Sequence, residues 1–96
     1  MLSFQNLDVY QRSADLLTVV AEITGAVPRG SAATCDQLKR AATSVLLNIA
    51  EAAGRTGPAD AARAYAIARG SAMETAAALH ALQILRIVAM LTKLCR

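Results

Sequence analysis

The groups in this chain that could do chemistry are few: one histidine, two cysteines, seven carboxylates and a serine that follows a glycine. Ser71, after Gly70, has neither a partner base nor the strand-turn-helix setting that exposes a nucleophilic serine. His80 is the single histidine and stands among alanines and leucines on a helical stretch. Glu51 and Glu74 suggest a carboxylate pair inside a bundle, but di-iron bundles take Glu-x-x-His motifs on two helices, and this sequence has none. Asp8, Asp15 and Glu22 share one face without a histidine near them, which argues against a metal. Cys35 and Cys95 match no metal or redox spacing. The start, MLSFQNLD, lacks the basic-then-apolar order of an export signal. Both thiols are therefore expected to be free, in the cytoplasm. The chemistry points away from an enzyme: no catalytic residue, no metal and no cofactor is expected.

What remains is a polar line, Arg40, Ser44, Asn48, Glu51 and Arg55, spaced 4, 4, 3 and 4 along the stretch QLKRAATSVLLNIAEAAGR. The same stretch carries Leu38, Ala42, Val45, Ile49 and Ala52 on one apolar face, with Ala41, Leu46, Leu47 and Ala50 beyond it. A helix apolar on most sides is buried on most sides. Its polar groups must then find partners in the protein or at a subunit boundary, because a buried unpaired group costs about 1–3 kcal/mol.

The elements that must position this line are helical. Helix one is expected over residues 6–24, with Leu7, Tyr10, Ala14, Leu17, Ala21 and Thr24 as its stripe, widened by Leu16, Val20 and Ile23. Asp8, Arg12, Asp15 and Glu22 lie opposite. Gly25 and Pro28 end it. Helix two is expected over 34–54, opened by a Thr34–Gln37 capping box, and the short loop before it makes it antiparallel to helix one. Helix three is expected over 58–82, with Pro58 in its first turn, Gly57 or Thr56 as cap and Asp60 close behind. Its stripe is Tyr65, Ala68, Ala72, Thr75, Leu79 and Leu82, and Gly70 within it suggests that a neighbour presses close. Folding helices two and three about Gly57 sets Glu51 opposite Arg63, Arg40 opposite Glu74 and Ser44 opposite Gly70. Arg40, Ser44, Asn48, Glu51, Arg63, Ser71 and Glu74 are thus the expected internal polar network.

One helix from Pro58 to the end would be about 58 Å long, so a break near Leu82-Gln83 and a fourth helix over 84–96 are expected. Ile84, Ile87, Val88, Leu91, Leu94 and Cys95 form its stripe, opposite Arg86, Lys93 and Arg96. This tract is interrupted by His80, Gln83, Arg86 and Lys93, and no membrane span is expected. The result is one all-α domain over residues 1–96, an antiparallel up-down-up-down four-helix bundle.

A bundle of 96 residues cannot hide all of a chain that is 55% apolar and has a mean hydropathy of +0.39. Homo-oligomerisation follows. The charge is uneven. Residues 1–25 hold Arg12 against Asp8, Asp15 and Glu22, whereas residues 26–96 hold nine Lys/Arg against Asp36, Glu51, Asp60 and Glu74. A basic surface of this kind is compatible with nucleic acid. Its candidates are Arg29, Lys39, Arg55, Arg63, Arg69, Arg86 and Lys93, less any that internal pairs consume. The alternative is a scaffold or partner-binding module with no nucleic-acid role.

Three ordered blocks, LDVYQRSADL, QLKRAATSVLLNIAEAAGR and ARAYAIARGSAMETAAALHAL, resemble the small bacterial four-helix-bundle family. That family includes proteins encoded in intervening sequences of large-subunit ribosomal RNA genes and the accessory variability determinant of diversity-generating retroelements. The resemblance covers roughly residues 4–82 and rests on the NIAE-x-x-GR and RGSA-x-E patterns together. It implies an up-down-up-down bundle assembled as a ring-like homopentamer. For the retroelement members it also implies binding of nucleic acid and association with a reverse transcriptase. Ala52 stands where the family usually has glycine, the loop between helices three and four is missing, and the chain is less basic than a dedicated nucleic-acid binder.

Overall fold

The computed structural model describes residues 4–27 and 30–95, with side chains from Asn6 onward. Three helices account for nearly all of them: α1 (Phe4–Gly25), α2 (Ala32–Gly54) and α3 (Pro58–Leu94). The chain is all-α, and α2 lies between the other two. Val20 of α1 sits in one cluster with Cys35, Leu38 and Ala42 of α2 and Leu82 of α3. Tyr10 and Tyr65 pack on a second cluster, Val45, Ile49 and Ala68. Successive helices are therefore antiparallel, as the short loops require.

All five residues of the expected α2 face, Leu38, Ala42, Val45, Ile49 and Ala52, are buried. Enclosure of α2 on its other sides is incomplete, since Leu46 is half-buried and Leu47 is 60% exposed. The α1 stripe is rotated from expectation toward the residues that widened it. Ser13 and Val20 are buried, while Leu7 and Ala21 are exposed. α2 begins two residues early, after Gly30 with φ +101° and with Ser31 as its cap. The Cys35 amide then donates to the Ser31 carbonyl at 2.9 Å, so Thr34 lies inside the helix rather than capping it. Cys35 is a buried core residue and Cys95 is an exposed free thiol. The α3 start is as expected, with Gly57 as cap, Pro58 in the first turn and Asp60 behind it.

The expected break at Leu82-Gln83 is absent, and the segment assigned to a fourth helix is the C-terminal part of α3. Nothing at 81–84 competes with helix: Ala, Leu, Gln and Ile supply no glycine, no proline and no capping side chain. α3 therefore runs 37 residues without interruption. The molecule is drawn out to 59 × 19 × 17 Å, with a radius of gyration of 16.2 Å. A compact chain of this length would have about 12.5 Å. Beyond Leu82 the helix has little to pack on, and Ile84, Ile87, Val88, Met90, Leu91 and Leu94 are all at least half exposed. By length and composition alone, α3 is also long and apolar enough to cross a bilayer.

Gly70 shows no close neighbour: a methyl group at its Cβ position would meet nothing within 4 Å. Gly70→Ala should accordingly stabilise the protein by about 0.5–1 kcal/mol, because alanine costs less conformational entropy in an open mid-helix position. A thermal melt checks this. A lowered midpoint would mean that something does pack there.

Candidate functional site

The α2–α3 seam is where the polar line finds partners. Ser44 Oγ and Ser71 Oγ lie 2.7 Å apart across the two helices. Asn48 Nδ2 donates to the Ser44 carbonyl at 2.8 Å and to Ser44 Oγ at 3.1 Å. Thr75, buried at 2% exposure, donates its hydroxyl to the Ser71 carbonyl at 2.8 Å. The hairpin register is thus one residue from expectation, with Ser71 rather than Gly70 facing Ser44. One residue turns a helix by about 100°, and the expected ion pairs do not form. Glu51 instead takes Arg55, one turn along α2. Arg40, Arg63 and Glu74 are exposed and make no ion pair among the described residues. Exposed pairs contribute only about 0–1 kcal/mol, so the apolar faces decide the register.

The serine contact can be isolated. Ser44→Ala and Ser71→Ala should each destabilise by about 1 kcal/mol, and the double variant by clearly less than their sum. Additive effects in a double-mutant cycle would show that the two hydroxyls do not bond.

Outside the seam, the polar line runs along an open trough. Two hollows of about 340 and 270 Å³ adjoin at Asn48. Lys39 and Arg40 line the first; Glu51, Arg55, Asp60 and Arg63 line the second. Four bases against two acids leave the trough net positive, with a hydrogen-bonding floor. From Lys39 to Arg55 it is about 24 Å long. Three of the candidate bases, Lys39, Arg55 and Arg63, are brought together here. The signal that adds Arg40 to them is its place on the same polar line.

The other candidates lie elsewhere. Arg69 shares a hollow with Arg12 on the α1 side. Arg86 and Lys93 flank Met90 on the far end of α3. Arg29 lies outside the described residues. Ser71 is committed to Ser44, and His80 is exposed beside Gln83 and Arg86. Among the described residues no three His, Cys, Asp or Glu side chains are grouped to hold a metal ion.

A family model described as 23S rRNA-intervening sequence protein matches residues 5–93, almost the whole chain and both halves of α3. No curated protein and no solved structure matches the chain. The blocks on α1, α2 and α3 that carried the resemblance all lie inside the matched span. The chain belongs to the 23S rRNA-intervening sequence protein family.

Proposed function

We propose that this chain is a non-enzymatic, self-associating helical protein of the cytoplasm that binds RNA or DNA through the α2–α3 trough. The observation that carries the reading is the grouping of Lys39, Arg40, Arg55 and Arg63 along one open trough, with only Arg55 held by an ion pair. A duplex carries one phosphate per about 1.7 Å of its axis, so a 24 Å run of bases meets several at once. The family's description, an intervening-sequence protein of 23S rRNA, is consistent with a nucleic-acid setting. A reverse transcriptase or another nucleic-acid enzyme is the protein partner that the resemblance suggests.

Fluorescence anisotropy with a structured RNA and a duplex DNA, each at two salt concentrations, tests this. Phosphate contacts make log affinity fall steeply with log salt. No binding at low salt removes the reading.

The exposed apolar half of α3 favours a second reading, a scaffold that holds a protein partner and no nucleic acid. In either reading the chain self-associates, for the surplus apolar surface expected from composition is visible on α3. Five copies is the number that the family resemblance implies for a four-helix protomer.

A further inference from the structure

With three helices, this protomer leaves one side of a four-helix bundle open. The Cα atoms of α1 and α3 nowhere approach within 8 Å. Hollows run between them along their length, from Val9 and Leu16 beside Ala72, past Ile23 beside Leu79 and Gln83, to Ala26 beside Met90. We propose that a second copy of this chain closes that side, the two α3 helices pairing antiparallel about a two-fold axis at Gln83. The proposal rests on the self-association reading and specifies a pair instead of a ring.

The register comes from a stripe on α3 beside the opening, whose hollows Ala72, Ala76, Leu79, Gln83 and Met90 line. Ala72, Ala76, Leu79, Gln83, Ile87, Met90 and Leu94 follow one another at steps of 4, 3, 4, 4, 3 and 4, the spacing of a helix-pairing seam. The seam is small at one end and large at the other. Turned about Gln83, it sets Ala72 against the partner's Leu94, Ala76 against the partner's Met90 and Leu79 against the partner's Ile87. Large side chains meet small ones at the first two of these pairs, as close packing requires, and at the third Leu79 meets another large apolar residue. Gln83 meets the partner's Gln83, and an amide can both donate to and accept from its own kind. A single polar seam position of this sort fixes register. A parallel pair would instead set Leu94 on the partner's Leu94 and leave the alanines facing a void.

Charge supports the same arrangement independently. Asp15 and Glu22 are exposed on α1, seven residues apart; Arg86 and Lys93 are exposed on α3, also seven apart. None of the four makes an ion pair among the described residues. α1 runs parallel to α3, with Leu16 beside Ala72 and Ile23 beside His80. The antiparallel pair therefore brings the partner's Lys93 level with Asp15 and the partner's Arg86 level with Glu22. The exposed apolar surface also calls for cover. Seven large apolar side chains from Ile84 to Leu94 are 40–80% exposed, and Ile87, Met90 and Leu94 among them lie on the seam. Together they present on the order of 700 Å², more than a typical monomer leaves open.

The test uses the full chain without detergent, in native mass spectrometry and sedimentation, followed by cross-linking in a Cys95→Ser background. A dimer is expected, in which Gln83→Cys cross-links to itself through a short bis-maleimide, and Ala72→Cys cross-links to Leu94→Cys only when the two variants are mixed. Met90→Asp should weaken the dimer at least 100-fold with helicity retained. Should that variant unfold, a charge exchange at exposed positions decides. Asp15→Lys with Glu22→Lys should weaken pairing, and adding Arg86→Glu with Lys93→Glu should restore it. A five-copy species overturns the pair but leaves self-association standing, whereas a monomer at micromolar concentration overturns both. Flotation with phosphatidylcholine–phosphatidylglycerol vesicles, in place of a dimer in buffer, would assign this half of α3 to lipid and overturn the pair.

Discussion

Leu38→Ala is expected to destabilise the protein by about 3 kcal/mol, within the 2–5 kcal/mol usual for a fully buried leucine. Leu38 has no exposed surface and lies in a cluster that joins all three helices, at the level of Val20 on α1 and Leu82 on α3. Truncation removes the transfer free energy of the lost carbons and leaves a cavity that long, regular helices cannot readily collapse around. For a domain of this size total stability is about 5–14 kcal/mol, so the loss is a large share of it. The melting midpoint should fall by about 12–24 °C, at the usual 4–8 °C per kcal/mol. Leu47→Ala provides the comparison, being the same chemical change on the same helix at 60% exposure. It should shift stability by no more than about 0.5 kcal/mol. Equal effects at the two positions would contradict the core described above.

The second large effect concerns the trough. Replacing Lys39, Arg40 and Arg63 together by alanine should reduce the slope of log affinity against log salt by about 2.7 on duplex DNA, close to 0.9 for each phosphate that is no longer neutralised. The weakening should be nearly uniform across sequences, because phosphate contacts position a protein without reading bases. All three side chains are exposed and outside the serine–asparagine network, so melting should be unchanged within about 0.5 kcal/mol. Arg86→Ala with Lys93→Ala supplies the contrast. These two bases are assigned to the contact between copies, and their removal should weaken self-association more than it changes the salt slope. An unchanged slope in the triple variant would remove the trough from the nucleic-acid surface.

Much of the architecture is legible in the order of residues alone. The burial of Leu38, Ala42, Val45, Ile49 and Ala52 is written in their spacing, since apolar residues on one side of a helix have no other use in water. Pro58 and Asp60 mark the start of α3 by the same local logic. The α2–α3 register is legible to within one residue, because a tight turn leaves few ways to fold a hairpin. That residue matters greatly for the polar groups. It replaces the expected pairs across the seam by a serine contact and turns Arg63 and Glu74 toward solvent.

The unbroken α3 departs from expectation for a different reason. Compact domains rarely carry so long an overhang, and a break is expected on that ground alone, while residues 81–84 contain nothing that ends a helix. Local chemistry decides the outcome, and the cost is an apolar extension without a partner in its own protomer. The trough is half legible. Arg40, Ser44, Asn48, Glu51 and Arg55 read as one line, but which side of the molecule they face depends on where α1 and α3 settle.

The sequence by itself determined the all-helical class, the inward face of α2, the start of α3, the order of packing and the family, because each is encoded in propensity and spacing over a few turns of chain. Only the tertiary structure decided which polar groups meet, which bases share an open trough and which side of the bundle stays uncovered. Those depend on helix rotation and on packing between residues far apart in the chain. A single step of register turns a helix by more than a quarter circle, and no local pattern carries that information.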